Sequence, residues 1–260
     1  MARRTRPRVA GILQARMGST RLPGKVLLRL AGKTILAHCI DRMRESAVLD
    51  DIVVATTALG RDDRVASEAL RNGARCFRGS EDDVLGRYAG AATEVRADVV
   101  VRVTADNPLT CPEAMARSVR EQLEGGWDYV GEAGLPYGSA CEVLTARTLF
   151  EVDRIARTPA HREHVTLFIK ETPHLFTIRL LDADPARTAP EIRVTIDTPE
   201  DLGFLRSMAR RRVLSFRPFR TADFIRRLRE MLLTKSQMPA DTEDRGGCAR
   251  EASAANGGCQ

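Results

Sequence analysis

Aromatic residues are scarce in this chain: one tryptophan, three tyrosines and eight phenylalanines among 260 residues. Proteins that grip single-stranded nucleic acid stack bases on such rings and interleave them with basic residues. Here the two basic clusters, residues 3–8 and Arg210-Arg-Arg212, have no aromatic residues among them, so no nucleic-acid partner is expected. Cysteine patterning is missing as well. The six cysteines (Cys39, Cys76, Cys111, Cys141, Cys248, Cys259) form no C-x-x-C pair, and no histidine stands at zinc-finger distance from two of them. They read as reduced thiols, mostly small core residues. No apolar run approaches the roughly 18 residues of a membrane span. The run after the basic start is only about five residues, too short for the apolar core of a signal peptide. No membrane partner and a cytoplasmic location are therefore expected. No internal repeat is visible.

What is present is an ordinary globular composition, 43% apolar and 29% charged, with a formal net charge of +6. The basic residues outside the two clusters are dispersed, a balance that suits an enzyme whose substrates are polyanions. The length allows one or two domains. We expect a basic arm over 1–8, one domain over 9–234 and a disordered tail over 235–260, where large apolar residues nearly vanish.

Apolar periodicity predicts strands over 9–13, 51–56, 75–77, 98–104 and 127–130. Helices alternate with them. One is capped by Thr34 and carries Ile35, Leu36, Cys39, Ile40 and Met43. A second carries Val65, Ala66, Ala69 and Leu70 and stops near Gly73. A third opens at Ser80-Glu-Asp-Asp83 and buries Val84, Leu85, Tyr88, Ala91 and Val95. A fourth starts at Pro112, carries Met115, Val119 and Leu123, and ends at Gly125-Gly126. This alternation predicts an α/β fold with a mostly parallel sheet covered on both faces. The second half predicts strands over 142–145, 176–181 and 192–196, and helices over 146–156 and 161–171, through Leu202, Leu205 and Met208, and through Phe224, Ile225, Leu228, Met231 and Leu232.

Such sheets bind ligands beyond the carboxyl ends of their strands. There lies the stretch Leu13-Gln-Ala-Arg-Met-Gly-Ser-Thr-Arg-Leu-Pro-Gly-Lys25. It offers three cations (Arg16, Arg21, Lys25), two hydroxyls (Ser19, Thr20) and two glycines (Gly18, Gly24). Glycines admit an anion to the backbone and arginine binds phosphate through two parallel hydrogen bonds, so the stretch reads as a triphosphate cradle; the alternative is a solvated basic turn. It is not a Walker loop, because Ser19 stands six places before Lys25 and Val26 follows it. Asp106 and Asp197 each follow a predicted strand. Converging on one point, they would supply oxygen ligands to Mg²⁺; the alternative is that each caps the helix after it, most simply for Asp197. Gly79 and Ser80 can present backbone groups to a base edge, although Arg78-Gly-Ser-Glu-Asp-Asp83 also reads as a capped helix start, with Arg87 pairing to Asp83. In His161-Arg-Glu-His164 no third metal ligand is evident, and Arg162 and Glu163 read as candidates on a substrate-facing helix.

These motifs in this order resemble the CTP-dependent cytidylyltransferases, most of all the spore-coat polysaccharide cytidylyltransferase-like branch. The enzymes that make CMP-activated keto-deoxyoctonate and CMP-sialic acids are more distant. The resemblance rests on Ile12–Lys25, Phe77-Arg-Gly-Ser-Glu-Asp-Asp-Val-Leu85, Thr104-x-Asp106-x-Pro108, Arg162-Glu-His-Val-Thr166 and Ile196-Asp-Thr-Pro-Glu-Asp-Leu202. It implies a nucleotidyltransferase (Rossmann-like) three-layer sandwich and a magnesium-dependent transfer of CMP from CTP to a small acidic acceptor, with release of pyrophosphate. Relatives suggest a homodimer. Carried over by position, Arg16, Lys25 and Asp106 are the catalytic candidates. Gln14, Ala15, Arg16, Gly18, Ser19, Arg21, Lys25, Arg78, Gly79, Ser80 and Asp106 would bind the nucleotide. Glu142, Arg162, Glu163 and His164 would face the acceptor, and Asp106 with Asp197 would hold Mg²⁺. One departure stands out: where the branch usually has Pro-x-Gly-x-Asp-x-Glu-Val, this chain has Ala140 at the aspartate position. The alternatives are a sugar-1-phosphate nucleotidyltransferase using another nucleotide, or a nucleotide-sugar glycosyltransferase, which would use an acidic D-x-D triplet.

Overall fold

A computed structural model describes residues 6–216 and 219–236. Val9–Gln14 forms β1, Asp51–Thr57 β4, Arg75–Gly79 β5 and Val99–Thr104 β6; a two-stranded hairpin, β2 (Arg29–Leu30) and β3 (Lys33–Thr34), lies apart. With β7 (Tyr129–Ala133), β8 (Glu142–Thr145) and β9 (Ile178–Asp182), the described residues build a seven-stranded sheet in the order β5-β4-β1-β6-β8-β7-β9. Only β8 runs against the rest. The alternating half thus follows its pattern through β6. The next strand in sequence, β7, lands one place further out, and β8 returns to fill the gap between them.

Helices cover both faces. On one face α1 (Ile35–Glu45), α2 (Asp63–Arg71), α4 (Pro112–Gly125), α8 (Pro199–Arg210) and α9 (Thr221–Ser236) pack on Leu13, Val54, Val101 and Val143. On the other, α3 (Val84–Val95) and α5 (Ala146–Ile155) pack on Ile12, Val53, Val100 and Leu144. Successive strand residues point to opposite faces, so strands buried on both sides read as unbroken apolar runs. Thr34 caps α1 through the Ala37 N–H, and Gly126 ends α4 in the left-handed region.

The structure corrects several expectations. Asp83, not Ser80, caps α3, accepting from the Gly86 N–H at 2.8 Å, because Arg87 draws the Ser80 and Glu81 carbonyls into a turn before the helix begins. The expected Arg87–Asp83 pair gives way to this contact, and Asp83 pairs with Arg162 instead. The helix expected over 161–171 breaks at His164 into α6 (Pro159–Glu163) and α7 (Leu167–Glu171), so that Thr166 turns its hydroxyl onto Glu142. Ile192–Ile196 is no sheet strand; it is an extended segment bridged to Tyr137, with its N–H and C=O groups paired to Tyr137 and Asp106. Leu70 and Leu123 are exposed, while Gln122 is buried against Trp127. The strand expected over 127–130 starts at Tyr129 and the one over 176–181 at Ile178. α9 runs to Ser236; the tail expected beyond it, and Cys248 and Cys259, lie outside the described residues.

Candidate active site

The loop after β1 is closed by its own backbone. The Ser19 and Gly24 N–H groups both donate to the Met17 carbonyl, at 2.9 and 3.0 Å. Gly24 sits at φ +66°, and a Cβ there would lie 2.9 Å from the Met17 Cε, so the turn needs glycine. The Met17 N–H donates to Asp62 at 2.6 Å, and Asp62 also accepts from the Thr57 hydroxyl. Asp62 is fully buried and fastens the loop to the end of β4. Sequence reading missed it; the pair Asp62-Asp63 at a helix start carries no signal beyond an acidic first turn.

The loop delivers Lys25 to one point. Its Nζ donates to Asp106 Oδ2 at 2.9 Å, Asp197 Oδ1 at 3.0 Å and the Ile196 carbonyl at 2.8 Å. Neither aspartate is a cap. Cys111 caps α4 through its sulfur, and Thr198 caps α8 in a reciprocal arrangement with Asp201. Each carboxylate has a second partner. Asp106 Oδ1 accepts from the Thr104 hydroxyl at 2.6 Å, and Asp197 Oδ2 from Arg193 at 2.7 Å. Burial works against the charge of Asp197, but Lys25, Arg193 and Arg21 overcome it and hold the carboxyl below its usual range. Arg21 reaches Asp197 Oδ1 at 3.0 Å from a largely exposed position.

A cation therefore already sits within hydrogen-bonding distance of three oxygens. This all-oxygen donor set suits Mg²⁺, which prefers a few carboxylates completed by phosphate oxygens and water. Among the described residues no cluster of three or more acidic, histidine or cysteine side chains forms a metal cage of its own.

The remaining motifs arrive at the same end of the sheet. Arg16 donates to Glu163 at 3.1 Å and lies 3.9 Å from Glu81, which also pairs with Arg61. The loop, the 78–83 segment and α6 thus meet, 147 positions apart in the case of Arg16 and Glu163. Gln14 ends β1, where its carbonyl accepts from the Ala105 N–H, and the Ala15 N–H donates to Ala55. Arg78 turns its guanidinium back onto the Thr57 and Leu59 carbonyls and Asp63. The Gly79 and Ser80 carbonyls accept from Ala58 N–H and Arg87 respectively. Arg162 is bound to Asp83 and Asp153, and His164 is exposed.

Asp106 and Asp197 also border a cavity of about 600 Å³, with Ala140 and Tyr137 on its lining. Its floor is Glu142, held by Arg102, Lys170, the Tyr129 hydroxyl and Thr166. Burial opposes the charge of Glu142, yet Arg102 and Lys170 hold its pKa down at about 2. Arg102 and Lys170 escaped sequence reading, since neither belongs to a motif. The triplet Asp182-Ala183-Asp184, of the D-x-D type, ends β9; Asp184 accepts from the Ala186 N–H and neither aspartate lines the cavity.

Known proteins share this sequence pattern and this fold. A cytidylyltransferase family model matches residues 10–235. The spore coat polysaccharide biosynthesis protein SpsF of Bacillus subtilis (strain 168) is 38% identical over 202 residues, covering 76% of this chain and 84% of its own length. The structure of a cytidylyltransferase from Leptospira borgpetersenii superimposes with a TM-score of 0.82 at 31% identity, covering 91% of this chain and 100% of the other. A CMP:2-keto-3-deoxy-manno-octonic acid synthetase complexed with CTP shares the fold, with a TM-score of 0.63 at 18% identity over 79% of this chain and 99% of that one. A family model over most of the chain and a relative at 38% identity show the same thing: the chain belongs to the cytidylyltransferase family and is a CTP-using nucleotidyltransferase.

Proposed function

We propose that this enzyme transfers CMP from CTP to a small acidic acceptor, a sugar acid, phosphate or phosphonate, in the presence of Mg²⁺ and with release of pyrophosphate. The observation that carries the reading is the convergence of Lys25, Asp106 and Asp197 at the mouth of the 14–25 loop. Arg16, Gly18, Ser19, Arg21 and Lys25 hold the triphosphate, and Gln14 and Ala15 abut it at the end of β1. Arg78, Gly79 and Ser80 border the cytosine through their backbone. Asp106 and Asp197 would hold the metal, which would supply positive charge against the leaving pyrophosphate. An acceptor that is already an anion needs no general base, and none is assigned.

The acceptor enters the cavity over Glu142, where the pair with Arg102 neutralises the carboxylate and leaves Lys170, half-exposed at the lining, as the cation that can meet an acid. Of the four acceptor candidates only Glu142 borders this cavity; Glu163 holds Arg16, Arg162 fixes α6 against Asp83, and His164 stands at the exposed break after α6. The spore coat relative is named for polysaccharide biosynthesis, which supports a sugar derivative among these acids as the leading acceptor. Mass spectrometry of products from Mg²⁺, a panel of such acids and each of CTP, UTP and ATP tests the reading. CMP conjugates and pyrophosphate are expected with CTP; turnover with UTP or ATP and none with CTP would overturn it.

A further inference from the structure

All three cations of the loop are already paired with carboxylates: Arg16 with Glu163, Arg21 with Asp197, and Lys25 with Asp106 and Asp197. The two aspartates share one design. On each, one oxygen is tied to a neighbour, Thr104 for Asp106 and Arg193 for Asp197, and the other is given to Lys25 Nζ. These two remaining oxygens face a single point, and the ammonium stands on it; Asp197 Oδ1 is shared with Arg21. An ammonium and a divalent ion cannot both occupy it, because at such separations two like charges repel strongly outside bulk water.

We infer that Lys25 is the resident counter-ion of the metal site, a latch that keeps divalent cations off Asp106 and Asp197 until a polyphosphate draws the ammonium away. The inference rests on the reading that these two aspartates take the metal. Lys25 is well placed for the exchange. Its flexible four-carbon stem carries a point charge, and it belongs to the loop assigned to the triphosphate. Arg21, about two-thirds exposed, can leave Asp197 for the same phosphates. The exchange makes the two ligands cooperative. Cations drawn to a polyphosphate would leave the aspartates free for a metal, and aspartates engaged by a metal would leave the cations free for the phosphates. Linkage requires the coupling to be reciprocal. The latch also keeps the carboxylates from facing one another uncompensated when no ligand is bound.

The test is a titration of the whole protein with Mn²⁺ alone, reading free Mn²⁺ by electron paramagnetic resonance, for wild type, Lys25→Met, Lys25→Gln and Asp106→Asn. Lys25→Gln keeps a donor for the Ile196 carbonyl and so keeps the loop seated. Both Lys25 variants are expected to bind Mn²⁺ about tenfold more tightly than wild type without nucleotide, and CTP is expected to tighten wild type by a similar factor and the variants less. Lys25 variants that bind Mn²⁺ no more tightly than wild type overturn the latch. Failure of the underlying reading looks different: Asp106→Asn then binds Mn²⁺ as wild type does. Should another nucleotide, and not CTP, tighten wild type, the base assignment fails and the latch stands.

Discussion

The side chain of Asp106 has no capping duty, since Cys111 caps α4; its two oxygens go to Thr104 and Lys25 instead. Asparagine fits the same space and still accepts from Thr104, yet it carries no charge to offer a cation. Asp106→Asn is therefore expected to lower kcat by at least about a hundredfold, with no recovery at high Mg²⁺ and an unchanged melting temperature. Steady-state kinetics across a magnesium series checks this; wild-type turnover would return Asp106 to a structural role. Asp62 is a different kind of residue. It touches no substrate, but it holds the Met17 N–H and thereby the loop. Asp62→Ala should raise the KM for CTP by about tenfold or more through the lost buried acceptor. Asp62→Asn should recover most of it, because its carbonyl can accept from Met17 while its amide donates to Thr57. Equal KM values in the two variants would separate Asp62 from the loop.

At the scale of elements, the sequence was most legible where one element satisfies its own needs. Thr34 caps α1 from three residues away, and the near-continuous apolar run of β6 could hardly lie anywhere but inside a sheet. Legibility failed where a distant partner decides. The break between α6 and α7 serves Glu142, and the cap of α3 moved because Arg87 claims the carbonyls before it. The segment Ile192–Ile196 has a strand's composition, yet its backbone pairs with the loop around Tyr137 and with Asp106. That docking is what carries Asp197 to Asp106. It depends on Gly138, at φ +94°, where a Cβ would meet the Thr195 backbone nitrogen at 2.7 Å. Gly138→Ala is expected to destabilise the protein by about 3 kcal/mol, some 6–12 °C in Tm, from backbone strain and the clash together. Turnover should fall further than stability at temperatures where the variant is folded. Thermal melts with activity assays below the transition measure both, and an unchanged melting temperature would refute the crowding.

At the scale of the whole molecule, Glu142 ties β8 to β6 through Arg102, to β7 through Tyr129 and to α7 through Thr166 and Lys170. Its pKa of about 2 lies below the ordinary 4.5. A carboxyl depressed in the folded state contributes stability that is complete above its unfolded pKa and is lost as pH falls toward the folded value. The loss should span about pH 4.5 down to 2 and amount to roughly 3 kcal/mol. Glu142→Gln cannot titrate, so its stability should fall less steeply across that window, as chemical denaturation at stepped pH would show. Parallel slopes for the two proteins would remove Glu142 from the acid transition.

Local chemistry determined what the sequence could declare alone: the apolar periods of the strands and helices, the loop's cations and glycines, and the two aspartates beyond strand-like runs. These depend on residues within a few positions of one another. Only the tertiary structure decided that Lys25 stands between aspartates 81 and 172 positions away, that β8 is inserted against the parallel strands, that Asp62 anchors the loop, and that Arg102 and Lys170 border the cavity. The reason is physical: a buried charge must find its partner in space, and the sheet order that brings the partners together is set by packing on both faces.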